Sequence, residues 1–310
     1  MLKSLSASLL GIALALSALP AHASSTPVES GAPVPLLWKV SDADNSVYLL
    51  GSFHVLRSTD YPLSADVDAA FEDAARVVFE VTPDELASPD IGARTLQLAR
   101  FEPGRQLSSV LPAGARERLD ATLQARGASF SQFDAFEPWF VTLSMVMELS
   151  QSAGLRADHG LDQHLMRRAA EAGKPIAGLE TLQAQLTALD STPMDEQVAG
   201  LAELIDAPEK MREAVDNLHS AWRAGDAARL DRISRAEMRA KTPGTYRLLN
   251  VDRNLAWLPQ VRAILDGPGT DNVLIVVGAM HLLGEDGLVE MLRDAGYRIA
   301  RICTGCTAVQ

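Results

Sequence analysis

Val47-Tyr48-Leu49-Leu50-Gly51-Ser52-Phe53-His54 and Leu274-Ile275-Val276-Val277-Gly278-Ala279-Met280-His281 share one pattern. Each has four apolar residues, then glycine, a small residue, a bulky apolar residue and histidine. A short apolar run of this kind predicts a buried strand, and glycine at its end permits a sharp turn and close backbone approach. The histidine then falls just beyond the carboxyl edge of the sheet, where ligands of open α/β sheets bind. One Gly-x-x-His occurs by chance. Two copies more than 200 residues apart, each closing a core strand, point to a shared site.

Working outward, Leu36–Val40 and Ser46–Leu50 read as a hairpin turned at Ser41–Asn45, where Asp and Asn supply the turn. Helical spacing predicts a helix over 65–75, and Arg76–Val81 predicts a buried strand closed by Thr82-Pro83. Residues 84–126 are helical in pattern, interrupted at Phe101–Gly104 and Leu111-Pro112. A further helix is expected from Pro138 to Gln151, with Trp139, Leu143, Val146 and Met147 as its core stripe. Asp158–Asp162 opens a helix to Gly173, and Lys174–Glu180 reads as a short strand. From Thr181 to Leu265 the chain is helix-forming, broken at Pro193, Pro208, Gly225 and Pro243-Gly244. Val273–Val277, a helix near 287–295 and a strand at 298–303 complete it. Strands at both ends with helices between predict one α/β domain over 35–310: a mixed sheet with flanking helices. Helical insertions at about 84–173 and 181–265 form its cap.

The amino terminus carries one positive charge at Lys3, an apolar run over Leu5–Leu19, and Ala21-His22-Ala23. That pattern predicts a signal peptide over 1–23, cleaved after Ala23, followed by a flexible leader over 24–34. The expected product is periplasmic or secreted, without a stable membrane anchor. Cleavage leaves 287 of 310 residues and removes Lys3 but no acid, so the net charge moves from −12 to −13. With no basic patch on so acidic a chain, nucleic acid is excluded as a partner. Cys303 and Cys306 are the only cysteines. In an oxidising compartment their spacing reads as a local disulfide. Two thiolates alone cannot close a zinc site.

Two acids sit where the histidines do. Glu80 ends the strand after Val77–Phe79, and Glu180 follows Pro175–Leu179. A glutamate at the end of an apolar strand must be paired if it is buried. His54, His281 and Glu80 therefore form a candidate N/O ligand set for a divalent ion, which would lower the pKa of bound water to about 7. Glu180 and Glu80 are the candidate catalytic carboxylates, Glu180 completing the ligand shell or acting as general base, and Arg253 with Asn254 the candidate substrate-binding pair, since arginine grips carboxylates bidentately. The plainer readings are a structural histidine, a helix-capping Glu80, a first-turn Glu180 and an Arg253 that braces its helix. Without metal, the same residues could do acid–base work with a histidine as base. Ser52 is matched by Ala279 in the second copy, which reads as a small spacer. His159 and His164 are five apart and share no helix face. Asp158 or Asp162 is expected to cap the helix they precede, and His219 to be packed or solvated. Neither an H-E-x-x-H nor a Gly-x-Ser-x-Gly motif is present.

Gly51–His54, Phe79-Glu80, Gly160-Leu161-Asp162, Gly178-Leu179-Glu180-Thr181, Arg253-Asn254, and Gly278–His281 with Leu282 and Gly284 together resemble the TraB/GumN family. Gly296-Tyr297-Arg298 also fits, and the resemblance runs from Leu36 to Ile302. Relatives in that family include the pheromone-shutdown protein PrgY and the Tiki proteases that act on Wnt. The resemblance implies a fold akin to the erythromycin esterase and ChaN-like proteins. For the Tiki branch it implies a metal-dependent peptidase using both Gly-x-x-His motifs and a glutamate. The resulting expectation is an exported hydrolase acting on a peptide or small-molecule substrate with Mn, Co or Zn. A metal-independent hydrolase is the alternative on the same scaffold. A non-catalytic periplasmic binder of metal, haem or peptide is the alternative from another class.

Overall fold

The computed structural model describes residues 31–306; the expected signal peptide and most of the leader lie outside the described residues. Six strands form one mixed sheet: β1 (Leu37–Ser41), β2 (Ser46–Ser52), β3 (Arg76–Phe79), β4 (Ile176–Gly178), β5 (Val273–Gly278) and β6 (Arg298–Arg301). Their order is β4-β3-β5-β2-β1-β6. The four strands β4, β3, β5 and β2 run parallel, while β1 pairs antiparallel with both β2 and β6. Every residue of β2 and β5 is buried, as expected of central strands covered on both faces.

The expected hairpin is β1–β2, with the Asp42 carboxylate accepting from the backbone N–H groups of Asp44 and Asn45 in the turn. The helices Ala65–Asp73, Pro138–Ser152, Leu161–Glu171 and Leu288–Asp294 fall where apolar spacing predicts them. Breaks at Pro193, Pro208, Gly225 and Pro243 each separate two helices. One irregularity has no signature in composition: a π-helical turn at Arg247–Val251 runs straight into the helix Asp252–Leu265.

The main core gathers the sheet with Val67, Phe71, Leu161, Leu165, Trp222 and Trp257. A separate cluster joins Phe101, Leu107, Leu119, Val141, Leu201 and Leu204, so the helical insertions carry apolar packing of their own. Pro138–Ser152 serves two such clusters, with Trp139 and Phe140 facing one and Val141, Met145 and Leu149 facing the other. Cys303 and Cys306 are joined in a disulfide. Among the described residues no helix is long and apolar enough to cross a membrane.

β2 and β5, the two strands of the sequence echo, are direct parallel neighbours. Their register is slipped by one residue against the echo: Gly51 lies beside Val277 and Ser52 beside Gly278. Side chains alternate across a sheet, so a one-residue slip puts equivalent positions on opposite faces. The two motifs therefore do different work. A Cβ on Gly51 would lie 3.1 Å from Ala279 in the turn beyond β5. A Cβ on Gly278 would lie 3.3 Å from Glu80 Oε1, 3.4 Å from His54 Nε2 and 3.6 Å from His281 Cδ2.

Candidate functional site

Parallel pairing brings the carboxyl ends of β2, β3, β4 and β5 to one edge. His54, Glu80, Glu180 and His281 leave the sheet there. The link after β4 is tied to the link after β3 by Leu179 N–H and Glu180 N–H, both donating to the Glu80 carbonyl. That sets the two glutamates side by side.

His54 stands at the rim, with its side chain 54% exposed. Its Nδ1 donates to Asp162 Oδ2 over 2.9 Å, and Ser52 Oγ donates to Asp162 Oδ1 over 2.8 Å. The Asp162 carboxylate, through its charge and its hydrogen bond with Nδ1, raises the His54 pKa to about 9. At neutral pH this residue is an imidazolium. Its Nε2 has no protein hydrogen bond among the described residues and faces the open side of Gly278. Asp162 lies in the first turn of Leu161–Glu171, and Gly160 decides how near that turn can come. A Cβ there would overlap the His54 carbonyl, 2.8 Å from its carbon, while Leu161 N–H donates to Phe53 O.

His281 is buried, at 4% exposure. Arg253 can only donate, so at 3.0 Å its Nη1 fixes His281 Nε2 as the acceptor. Nδ1 must then carry the proton, which it donates to Asn254 Oδ1 over 2.7 Å. Burial and the Arg253 charge hold its pKa down to about 3. It is neutral, with Trp257 packed 4.5 Å away.

Arg253 ties the cluster together. Its Nε donates to Glu180, its Nη1 to Leu249 O and His281, and its Nη2 to Glu80 and Glu180 over 2.6 Å each. Those contacts use all five N–H groups of a guanidinium, whose plane also lies over Trp257. The π-helical turn matters here, because Leu249 O belongs to it. Burial opposes ionisation of Glu80, but the Arg253 charge and the His54 imidazolium, with Gly278 N–H, hold its carboxyl far below the usual range. Gln185 also donates to it. Glu180 moves the other way: burial raises its pKa and Arg253 only partly offsets that. Asn254 is fully buried, its amide donating to His281 O and Asp286 O.

The structure thus brings His54, Glu80, Glu180, Arg253, Asn254 and His281 to one edge of the sheet. As placed, Arg253 and Asn254 spend their donors inside the protein and leave none for a substrate. Ser52, expected as a spacer, braces Asp162. Asp162, expected as a cap, makes no capping bond from its side chain and instead orients His54. Gly160-Leu161-Asp162 was the available signal for it. His219 is packed rather than solvated, with Nε2 2.8 Å from buried Asp60.

The sequence model of the TraB/PrgY/gumN family matches residues 36–301. The chain belongs to this family. Among relatives is the uncharacterized protein YbaP of Escherichia coli (strain K12). It is 25% identical over 251 residues, covering 79% of this chain and 87% of YbaP. YbaP of Shigella flexneri matches to the same extent. An uncharacterized protein of Treponema pallidum (strain Nichols) is 22% identical over 202 residues, covering 64% of this chain and 60% of its own.

The divalent ion expected from the sequence raises the question of whether these side chains fit one. The residue types do: two imidazoles and two carboxylates. Their lone pairs do not fit as placed. Glu80 Oε2, both Glu180 oxygens and His281 Nε2 accept from Arg253, and Glu80 Oε1 accepts from Gly278 N–H. Among the described residues, no three His, Cys, Asp or Glu side chains are arranged to hold one ion.

Proposed function

We propose that this TraB/PrgY/gumN protein is an exported hydrolase of peptide or small ester-type substrates, working by proton transfer at His54 without a bound metal. The observation that carries this reading is the Ser52–Asp162–His54 chain, which leaves Nε2 open beside Glu80 and above Gly278. A carboxylate that orients a histidine through Nδ1 and leaves Nε2 to the reactants is a recurring arrangement for acid–base catalysis.

The resting imidazolium has a proton to give. When water adds to the scissile carbonyl, His54 Nε2 donates to the departing nitrogen or oxygen. It then regains a proton derived from the water. Glu80, ionised throughout, accepts a hydrogen bond from that water and orients it; so acidic a carboxyl is a weak base. Arg253, Glu180 and Asn254 fix Glu80 and His281 in place, and the absence of a side chain on Gly278 leaves room for the reacting carbonyl.

Turnover on a panel of peptides and esters tests the reading, with protein stripped by chelator. It predicts activity that persists in chelator and falls about 100-fold or more in His54→Gln, the range for loss of an acid–base group. Activity abolished by chelator and restored by Mn²⁺, Co²⁺ or Zn²⁺ would overturn it in favour of the metal-dependent mechanism. Ligand-linked thermal stabilisation with no turnover would overturn it in favour of a binding protein.

A further inference from the structure

Among the described residues the His54 side chain makes one hydrogen bond, to Asp162, so the place of its Nε2 depends on how the loop after β2 is held. One helix, Pro208–Arg223, grips that loop on both sides of His54. Before it, Trp222 Nε1 donates to Gly51 O over 2.9 Å, and the Phe53 ring centre lies 6.0 Å from that of His219 and 6.1 Å from that of Trp222. After it, His219 stands between Arg57 and Asp60. Arg57 can only donate, so its Nη1, 3.0 Å away, makes His219 Nδ1 the acceptor. The ring proton is then on Nε2, which donates to Asp60 Oδ2 over 2.8 Å. The same oxygen accepts from the Arg57 backbone N–H, Arg223 donates to Oδ1, and Arg57 Nη2 donates to Asp216 on the same helix. Asp60 is 1% exposed and His219 2%. A buried polar network satisfied in this way fixes one conformation, and proton transfer at His54 uses none of its groups. The helix also reaches the other way. Met211 near its start packs on the apolar cluster of the helical insertions, while Trp222 at its end lies in the main core.

We propose that His219 is a positioning residue for His54: its paired hydrogen bonds to Arg57 and Asp60 hold the loop after β2 where His54 meets Asp162 and keeps Nε2 on the open side of Gly278. This deepens the proton-transfer reading and rests on it for turnover, but not for the placement of the imidazole. The helical insertions thereby take a part in the site, because they carry the helix that sets the loop. Without the two bonds, Arg57 and Asp60 lose the partner between them and the loop is free to shift. A misplacement of about 1 Å can cost on the order of 100-fold in rate. Hydrogen bonding separates this role from ordinary core packing. Phenylalanine at position 219 keeps a ring against Phe53 and Trp222 and loses both bonds, whereas glutamine offers an amide donor and an acceptor.

The test compares full chains of the wild type, His219→Phe and His219→Gln by histidine-selective NMR titration and by kcat and KM on a responsive peptide or ester. Circular dichroism and Tm report folding. In His219→Phe the His54 pKa is expected to drop from about 9 toward the unperturbed value of about 6.5 as the imidazole parts from Asp162. Its kcat should fall at least about tenfold, with KM within about threefold. His219→Gln should recover most of both. A merely structural His219 would lower Tm and leave the His54 titration and kcat in place. That result in a folded His219→Phe, or a His219→Gln no better than His219→Phe, overturns the proposal. Should His219→Phe be unfolded, Arg57→Ala decides, since Arg57 is partly exposed and its loss leaves the His219–Asp60 bond. A fall in the His54 pKa and kcat there supports the proposal, and neither moving overturns it. The titration needs no turnover. A wild type inactive on every peptide and ester therefore sinks the hydrolase reading, while the His54 resonance still decides the positioning role.

Discussion

Replacing Asp162 by asparagine removes one charge and little else. The amide keeps an oxygen for the His54 Nδ1–H and a group within reach of Ser52 Oγ, so both contacts of 2.9 and 2.8 Å can persist. What goes is the field that raises the His54 pKa to about 9, and the imidazole should titrate near its unperturbed value of about 6.5. Fully converted, that difference is about 3 kcal/mol. Because 54% of the side chain meets solvent, screening cuts the stability contribution to about 1 kcal/mol. A raised folded pKa fixes the sign. The contribution is complete below the unfolded value near 6.5 and is lost as pH climbs through about 9. Histidine-selective NMR titration of both proteins reads the pKa directly, with His54→Gln assigning the resonance, and thermal melts at pH 6 and 10 read the stability. The wild type should lose stability across that interval, and Asp162→Asn should lose less. A His54 resonance titrating near 6.5 in the wild type, or unmoved by Asp162→Asn, would refute the reasoning.

Gly278→Ala should fold normally, since its φ of −51° suits any residue, yet place a methyl among Glu80, His54 and His281; turnover on the peptide and ester panel should fall at least about tenfold with Tm nearly unchanged. Gly160→Ala forces backbone against backbone at His54 and should cost about 1–3 kcal/mol in a denaturant melt, with the loop after β2 displaced. Arg253→Ala leaves two buried carboxylates unpaired and should cost about 3–5 kcal/mol at neutral pH in metal-free buffer, a loss that shrinks on acidification as they take up protons. In the wild type the depressed Glu80 pKa gives the opposite trend: its share of stability is present above the ordinary carboxylate range and lost only far into acid, which an acid melt followed by circular dichroism checks.

Much of the architecture was legible because local physics and tertiary burial agree. The apolar run Val273–Val277 and its glycine gave β5, and Pro138 gave a helix start that the structure keeps. The repeated Gly-x-x-His placed both histidines at the carboxyl edge, and the strand-end positions of Glu80 and Glu180 placed the acids beside them. Register was not legible. Pairing Gly51 with Val277 instead of Gly278 depends on how two remote strands pack, and nothing local to either run reports it. Asp162 is 108 residues from His54, and an acid in a first helical turn has a sufficient local explanation in the helix dipole. Arg253 shows the complementary gap. Its chemistry marks it as a carboxylate binder, but nothing local tells that the carboxylates are the protein's own.

The account rests on His54 being the group that moves the proton at the open face of Gly278. The pH profile of kcat/KM for chelator-stripped wild type on a responsive peptide or ester measures this most directly. A single alkaline limb near pH 9 that drops toward 6.5 in Asp162→Asn and is absent from the residual rate of His54→Gln is the predicted result. A profile flat through that range, or a His54→Gln variant as active as the wild type, would contradict it.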